Sequence, residues 1–263
     1  MPKLILTYHA ARLESLDRQG ADVYALAADL AWLLEHHVPV MGLEALLDPA
    51  TEHGVAITFD DGTRIDAERY AHPRLGEMPS LLDVLRLFKP AMPQLVATSF
   101  VIASEQARAD IDAGLANDYG PELLHSRWWQ PAQQSGLIEL GNHSFDHNHP
   151  MVIRSAQRDN LRGNFLNIET EAEAEAEIAQ ASDEIERIAG FRPRWFAYPF
   201  GDVSGFLRDD WLPRRGPQIG LHAAFTAEPR ALSKNENRWA LPRYVNGRDW
   251  NGSEGLAALL AQA

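Results

Sequence analysis

The sequence predicts an α/β fold built as a single domain. Short apolar runs of strand character alternate with longer amphipathic stretches along all 263 residues. This alternation is typical of a parallel sheet, closed or open, that helices cover. A chain of this length can form one α/β barrel or two smaller domains. Because no Pro/Ser-rich linker and no solenoid-type repeat interrupts the pattern, one domain over residues 1–263 is expected.

The individual elements follow from the same alternation. The apolar runs predict strands at Leu4–Tyr8, Val55–Phe59, Leu95–Ile102, Leu137–Leu140, Trp195–Ala197, Ala223–Phe225 and Ala240–Val245. The amphipathic stretches predict helices at Val23–His36, Ser80–Phe88, Trp128–Ser135, Glu169–Ala189 and Gly255–Leu260. The Ala/Glu-rich start of the fourth helix favours helix, and Gly190 supplies its stop. Thr63–Pro79 and Ala103–Arg127 are polar and irregular, so both are expected to be loops.

Composition narrows the classes of partner. The formal net charge is −13, with 37 acidic and 24 basic residues, which argues against binding a nucleic-acid backbone and suits a neutral or cationic substrate. No apolar run is long enough to span a bilayer. The first residues lack the apolar core of a secretory signal. A cytoplasmic protein is therefore expected, or an exported one if preceding residues have been removed. The oligomeric state stays open.

Polar residues follow the predicted strands at one end. The first strand ends in His9, the second in Asp60-Asp61, the fourth runs into His143 and His147, and the fifth runs into Phe200-Gly201-Asp202. In α/β barrels the active site forms at the carboxyl ends of the strands, from the loops that follow them. Four such coincidences predict a functional site at this rim.

The spacing of two histidines points to a metal. His143-Ser144-Phe145-Asp146-His147 places two imidazoles at positions i and i+4, which one helical turn would bring to the same face. Two histidines and one aspartate form a three-ligand catalytic site with an open position. Surface or hydrogen-bonded histidines are the alternative. The adjacent aspartates at an equivalent strand end favour metal binding.

At these residues the chain resembles a known family. Thr58-Phe59-Asp60-Asp61-Gly62 matches the TFDDG motif of carbohydrate esterase family 4, the polysaccharide deacetylases with a NodB-homology domain. The segment His143–His147 matches the family's H-[ST]-x-x-H motif, and Phe196–Gly201 resembles its "FAYPYG" form of the third motif. The resemblance covers most of the chain. It implies a distorted (β/α)7-type barrel.

The resemblance also implies a mechanism. Asp61, His143 and His147 would bind one divalent metal ion, zinc first, with cobalt, nickel, manganese or iron as alternatives. Asp60 would be the general base, and the backbone N–H of Phe200 would help to stabilise the oxyanion. A bound metal activates water and polarises an acyl carbonyl. The expected reaction is removal of acetyl groups from N-acetylated, or O-acetylated, sugars.

This chain departs from the family pattern in two features. The third motif usually contains an arginine that orients the base, but the aligned residue is Ala197. Arg243 is the expected replacement, with a surface or structural role as the alternative. The C-terminal histidine that supplies the catalytic acid is also absent, since His222 precedes its strand. His9 is the expected acid because a permuted branch of the family has an N-terminal "YH", and His149 is the rival.

Substrate contacts and alternative functions complete the expectations. Tyr198 and Trp211 are the expected substrate-binding residues, although most tryptophans are core. The departures leave open a catalytically degenerate, sugar-binding relative, and the absence of a visible signal leaves open an amidohydrolase acting on a small intracellular amide. Two histidines and a carboxylate also bind iron in oxygenases, but TFDDG argues against that class.

Overall fold

The computed structural model of the protein describes residues 2–9, 22–72, 75–149, 152 and 165–261. Seven strands form one parallel sheet: β1 Lys3–Tyr8, β2 Gly54–Phe59, β5 Ala97–Val101, β6 Ile138–Asn142, β7 Trp195–Ala197, β8 Ala223–Phe225 and β9 Tyr244–Val245. Across the sheet they lie in the order β8-β7-β6-β5-β2-β1-β9. A parallel bridge between Phe225 and Leu241 joins β8 to the segment leading into β9. The sheet therefore curls into a distorted barrel, and the predicted α/β fold is confirmed.

Helices follow most strands and cover the outside of the sheet. They are α1 Asp22–Glu35, α2 Leu43–Leu47, α3 Leu81–Phe88, α4 Glu105–Tyr119, α5 Trp129–Gln134, α6 Glu171–Ala174, α7 Gln180–Ala189, α8 Leu212–Arg215 and α9 Gly252–Ala261. A π-helical turn, Glu175–Ala179, joins α6 to α7, and a second, Leu207–Trp211, precedes α8. Around the barrel, α1 packs against α3 and α9, and α5 packs against α7.

The helix ends show why these segments are helical. The Ser80 hydroxyl caps α3 by accepting a hydrogen bond from the Asp83 N–H, and the Asp83 carboxylate in turn accepts one from the Ser80 N–H. Such a capping box satisfies two backbone donors that a helix otherwise leaves free. At the C-terminal end of another helix, α7, Gly190 has φ +79°, a left-handed conformation that glycine adopts without steric cost because it has no Cβ.

The two faces of the strands have separate partners. In β2, Val55, Ile57 and Phe59 pack in the cluster that includes α1 and α3, whereas Ala56 belongs to a different cluster with Phe100. Successive side chains of a strand point to opposite faces. Thr58 and Asp60 therefore continue the face of Ala56, towards the barrel interior.

Two segments expected to be irregular loops contain regular structure, so both expectations were wrong. The span 103–127 contains α4, which Ser104 caps and which ends before Gly120 at φ +78°. Its buried face includes Arg108, whose guanidinium donates to backbone carbonyls and lies 4.7 Å from the Trp129 ring. Because a charged residue lies on the buried face of α4, the sequence lacks the apolar stripe from which a helix is normally predicted. The span 63–79 contains a short antiparallel pair, β3 Tyr70–His72 and β4 Gly76–Met78.

Within the described ranges, no helix combines the length and the apolar character that crossing a bilayer requires.

The contrast between two leucines of α3 tests the packing. Leu85 is fully buried in the main core, whereas Leu87, two residues away, is 72% exposed. We expect Leu85→Ala to lower the free energy of unfolding by about 2–5 kcal/mol, because it removes buried methyl groups and leaves a cavity. The matched control Leu87→Ala should change it by less than about 0.5 kcal/mol. Urea unfolding measures both, and equal losses would contradict the assigned orientation of α3.

Candidate active site

The carboxyl ends of β1, β2, β6 and β7 meet at one rim of the barrel, where His9, Asp60 and His143 follow their strands. In parallel strands these ends lie at the same edge, which is where barrel enzymes assemble their active sites. The backbone N–H of Asp60 donates to the carbonyl of Tyr8 (3.1 Å), and the N–H of His143 donates to the carbonyl of Val101 (3.0 Å). Hydrogen bonds between neighbouring strands thus extend past their ends and fix the loops.

Asp60 and Arg243 form a buried ion pair. The guanidinium donates two hydrogen bonds to the carboxylate, Nη1 to Oδ1 at 2.7 Å and Nη2 to Oδ2 at 2.8 Å. Their side chains are only 8% and 1% exposed. Burial by itself would raise the pKa of Asp60, but the charge and hydrogen bonds of Arg243, together with the charges of His143 and His9, outweigh it, and the pKa lies below its usual value. Asp60 is therefore an ionised carboxylate with a fixed plane.

Further contacts anchor Arg243 inside the barrel. Its Nε donates to the carbonyl of Thr226 (2.9 Å), Nη1 lies 3.4 Å from the hydroxyl of Thr58, and the guanidinium lies 5.3 Å from the Phe100 ring. The aligned third-motif position, Ala197, has no charge, and Arg243 pairs with Asp60 from a segment near the C-terminus instead. This is the contact that the expected orienting role requires.

Asp61 turns away from Asp60 because the chain reverses sharply. Asp61 has φ +73° and Gly62 has φ +66°. A Cβ on Gly62 would lie 2.7 Å from the Val101 side chain and 2.8 Å from its Cα, so this turn accepts only glycine. The two neighbouring aspartates thereby reach different partners.

Asp61, His143 and His147 converge on one point. Oδ1 of Asp61 lies 3.7 Å from Nε2 of His143 and 3.4 Å from Nε2 of His147. One ligand atom from each residue lies within 4.8 Å of the others. Burial by itself would raise the pKa of Asp61, but the hydrogen bond to His147 and the nearby imidazoles outweigh it, so the pKa lies well below its usual range.

The chemistry of these donors fits a divalent metal ion. Nδ1 of His143 lies 2.8 Å from the carbonyl oxygen of Ala197. Because a carbonyl only accepts, Nδ1 carries the proton and Nε2 presents a lone pair to Asp61. Burial, against the opposing charge of Asp60, lowers the pKa of His143 to about 4, so the ring is neutral. A neutral histidine held through its other nitrogen is the form that binds metals.

The loop that contains both histidines is fixed by its own polar residues. The side chain of Asn142 accepts a hydrogen bond from the Ser144 N–H (2.7 Å), and the Ser144 hydroxyl accepts one from the His147 N–H (2.8 Å). Ser144 and His147 both have positive φ, +69° and +64°. Asp146 accepts a bond from the Asn148 N–H (2.8 Å), as expected of a loop cap.

His9 lies at the same rim as the two aspartates. It follows Ile5 and Thr7 in the inward register of β1, and its charge contributes to the lowered pKa of both Asp60 and Asp61. Its backbone N–H donates to the Asp22 carboxylate at 2.6 Å. Its Nδ1 is buried and has no hydrogen-bond partner among the described residues. Among the residues that the structure describes, this ring nitrogen is thus without a partner.

Phe200 forms one wall of the site. It has φ +58° within the short helical turn Pro199–Gly201, and its side chain remains half exposed. The ring centroid lies 4.8 Å from that of His147 and 6.4 Å from that of His149. This residue therefore presents an aromatic face beside His147 and His149.

Tyr198 and Trp211 lie elsewhere. Both are fully buried in a second hydrophobic cluster, and the Tyr198 hydroxyl donates to the carbonyl of Trp239 (2.8 Å). The structure gives no support to substrate binding by either residue. Trp128, Trp129 and Trp250 are buried as well, as expected for core tryptophans.

Sequence reasoning missed a buried acid beside the site. Asp66 is completely buried, and its Oδ2 accepts a hydrogen bond from the Ser99 hydroxyl at 2.5 Å. Burial, with the charges of Asp61 and Asp60 in addition, raises the pKa of Asp66 well above its usual value. The only signal in the sequence was an acid four residues after Gly62, in a segment that looked like a polar loop.

Comparison with known proteins agrees with this geometry. Residues 48–210, more than half of the chain, match the family model described as Polysaccharide deacetylase. The peptidoglycan-N-acetylmuramic acid deacetylase PdaC of Bacillus subtilis is 27% identical over 174 residues, which are 66% of this chain and 27% of PdaC. The chain thus spans about a quarter of the length of this relative.

Two solved structures share the fold. A de-N-acetylase from Aggregatibacter actinomycetemcomitans has a TM-score of 0.63 at 18% identity, over 98% of this chain and 100% of that one. The Streptococcus pyogenes deacetylase PplD, solved in complex with acetate, has a TM-score of 0.62 at 16% identity, over 98% of each chain. At these identities the likeness establishes the architecture.

The buried ion pair gives a stability prediction. Arg243→Met should lower the free energy of unfolding by about 3–5 kcal/mol, because it leaves the Asp60 carboxylate buried without its counter-charge. Adding Asp60→Asn to that variant should restore part of the loss. Urea unfolding in the presence of a chelator measures this double-mutant cycle without a contribution from metal. A double variant no more stable than Arg243→Met would contradict the coupling.

Proposed function

Because the chain belongs to the polysaccharide deacetylase family, we propose that it is a metal-dependent hydrolase that removes acetyl groups from an acetylated carbohydrate. The observation that carries the proposal is the meeting, at one rim, of the Asp61–His143–His147 donor set with the ionised, arginine-paired Asp60. A small acylated compound is the alternative substrate class. The activity named for PdaC and the acetate bound to PplD support an acetyl group as the part that is cleaved.

Asp61, His143 and His147 would hold one divalent ion, with zinc as the first choice and cobalt, nickel, manganese or iron as alternatives. When bound, such an ion lowers the pKa of a water molecule and polarises an acyl carbonyl. His143 is prepared for this role, since its Nδ1–H is bonded to a carbonyl and its Nε2 is free to bind.

Asp60 would act as the general base. Each of its oxygens accepts one hydrogen bond from Arg243 and keeps a second lone pair. A carboxylate within reach of the attacking water can take its proton. Arg243 would be a positioning residue, because its two bonds fix the plane of the carboxylate while it touches no reacting atom.

His9 and Phe200 would complete the reaction. Collapse of the tetrahedral intermediate expels an amine or an alkoxide, and His9, at the rim beside both aspartates, would supply its proton. The left-handed backbone of Phe200 would present its N–H to the oxyanion, where a fixed donor stabilises developing charge.

A degenerate, sugar-binding protein is the alternative that the missing third-motif arginine suggested. The pairing of Arg243 with Asp60 supports the enzyme instead, because the arginine is supplied from another part of the chain. Burying two charges costs free energy of desolvation, and a catalytic function of the Asp60 carboxylate would account for a buried ion pair at this position.

The direct test couples metal analysis to acetate release. Zinc-loaded protein should contain about one ion per chain and release acetate from some member of a panel of N- and O-acetylated sugars, and chelation should stop the release. Asp60→Asn should keep its zinc yet lose activity by about 10²–10⁴-fold, since general base catalysis contributes that much. Full activity in this variant would refute the role of Asp60. Zinc-loaded native protein that binds sugars without releasing acetate would establish the degenerate alternative.

The role of His9 predicts a dependence on the leaving group. His9→Gln should slow release from an N-acetyl sugar by about 10²–10⁴-fold, because an amine cannot leave without a proton. An aryl acetate, whose phenolate leaves unprotonated, should be much less affected. His149→Gln is the matched control for the rival histidine and should show neither effect. Equal losses on both substrates would contradict the assignment of His9 as acid.

A further inference from the structure

One strand lies between the two loops that contain the candidate metal ligands. β5 is placed between β2, which leads to Asp61, and β6, which leads to His143, and it contains none of the three ligands itself. The carbonyl of Val101, at the end of β5, accepts the hydrogen bond from the His143 N–H. The turn after Asp61 lies against the same residue, because a Cβ on Gly62 would be 2.8 Å from the Cα of Val101. Both loops therefore rest on β5.

A buried acid joins the turn after Asp61 to this strand. Asp66 belongs to the short helical turn Arg64–Asp66, directly after Thr63, and is completely buried. Its Oδ2 accepts a hydrogen bond from the Ser99 hydroxyl of β5 at 2.5 Å, and its Oδ1 lies 3.4 Å from the Thr63 hydroxyl. The Asp66 N–H also donates to the carbonyl of Thr63 (3.0 Å). One side chain thus contacts both the turn and the strand.

The contact lies on the outer face of β5. Ala97 and Val101, which flank Ser99 on that face, belong to the main hydrophobic core, whereas Phe100 packs with the cluster on the other face. A hydroxyl in an apolar layer costs free energy unless it is hydrogen-bonded, and Asp66 provides that bond. Asp66 therefore reaches β5 from behind the site, not from the barrel interior.

Asp61 depends on its backbone for its position. Its side chain is 37% exposed, and its Oδ1 contacts the Nε2 atoms of His143 and His147 only at 3.7 and 3.4 Å. Its φ of +73° is a conformation that persists in a residue other than glycine only where the surroundings over-determine it. The contacts that hold the turn from outside are thus needed to place this carboxylate.

We propose that Asp66 is a positioning residue for the metal centre: by attaching the turn after Asp61 to Ser99 of β5, it sets the separation of Asp61 from His143. This inference rests on the metal site of the proposed function. It adds to that function a side chain that acts through the turn and through β5 and touches neither the metal nor the substrate.

The test measures zinc affinity in the absence of substrate, by competition with a chromophoric chelator. Asp66→Leu should weaken zinc binding by about 10-fold, the lower end of the loss expected when a group that supports metal ligands is removed. Asp66→Asn should stay close to the native affinity. It keeps the shape and one acceptor oxygen, and the facing hydroxyls can accept as well as donate.

The same bond can be removed from the strand. Ser99→Ala, a smaller change, should weaken zinc binding in the same direction, and it carries the test if Asp66→Leu does not fold. Combined with Asp66→Leu, it should cause little further loss, because the bond between the two side chains is already absent. Native zinc affinity in Ser99→Ala and in any folded Asp66→Leu would overturn the inference.

A matched control separates positioning from a general loss of stability. Asp29 is also a buried acid, and its Oδ2 accepts hydrogen bonds from the Tyr8 hydroxyl (2.8 Å) and the Trp250 indole (3.0 Å). Asp29→Leu should lower the free energy of unfolding in urea and leave zinc affinity unchanged. A loss of zinc affinity as large as that of Asp66→Leu would show that the effect is not specific to the turn and would also overturn the inference. A native chain that binds no zinc would instead overturn the proposed function.

Discussion

The ion pair between Asp60 and Arg243 is the contact on which the site depends. It joins the end of β2 to a segment 183 residues later, and the same guanidinium also bonds to the carbonyl of Thr226, just after β8. One buried cation therefore connects three strand ends across the barrel mouth. Burial by itself would raise the pKa of Asp60, and Arg243 is the main partner that keeps this carboxylate ionised at such depth. The same guanidinium thus links distant strands of the barrel and keeps the Asp60 carboxylate ionised inside it.

Asp60 and Asp61 are adjacent in the chain, and backbone geometry directs their side chains to different partners. Asp60 still obeys the alternation of β2 and points into the barrel, whereas Asp61 already has a left-handed backbone and faces the histidines. Gly62 makes this reversal possible because Val101 leaves no room for a side chain. Two carboxylates that are neighbours in the chain are consequently stabilised by different charges, one by a guanidinium and the other by imidazoles.

Local signals in the sequence predicted the strands well, and they also singled out Asp61, His143 and His147, which the fold brings together as a cluster that could hold a metal ion. Both depend on apolar runs and short spacings. What could not be predicted depends on contacts distant in sequence or on buried polar groups. Arg108 on the inner face of α4 concealed that helix, and Glu177, which is buried, lies within an Ala/Glu run that predicted a helix but not which of its residues are buried. Tyr198 belongs to the third motif, at the rim. Its side chain nevertheless packs in the second hydrophobic cluster, with Trp211. Spacing identifies the residues of a site but does not give the direction of each side chain.

The left-handed residues of the rim have an evolutionary consequence. Asp61, Ser144, His147 and Phe200 all have positive φ, and non-glycine residues in such conformations store roughly 1–3 kcal/mol each. Glycine at any of these positions would relax the backbone while removing a side chain of the site. Natural selection for stability alone would therefore erode this rim. Wherever this site is not needed, substitutions to glycine at these four positions should accumulate and stabilise the fold, so non-glycine residues there are a sign that the site is in use.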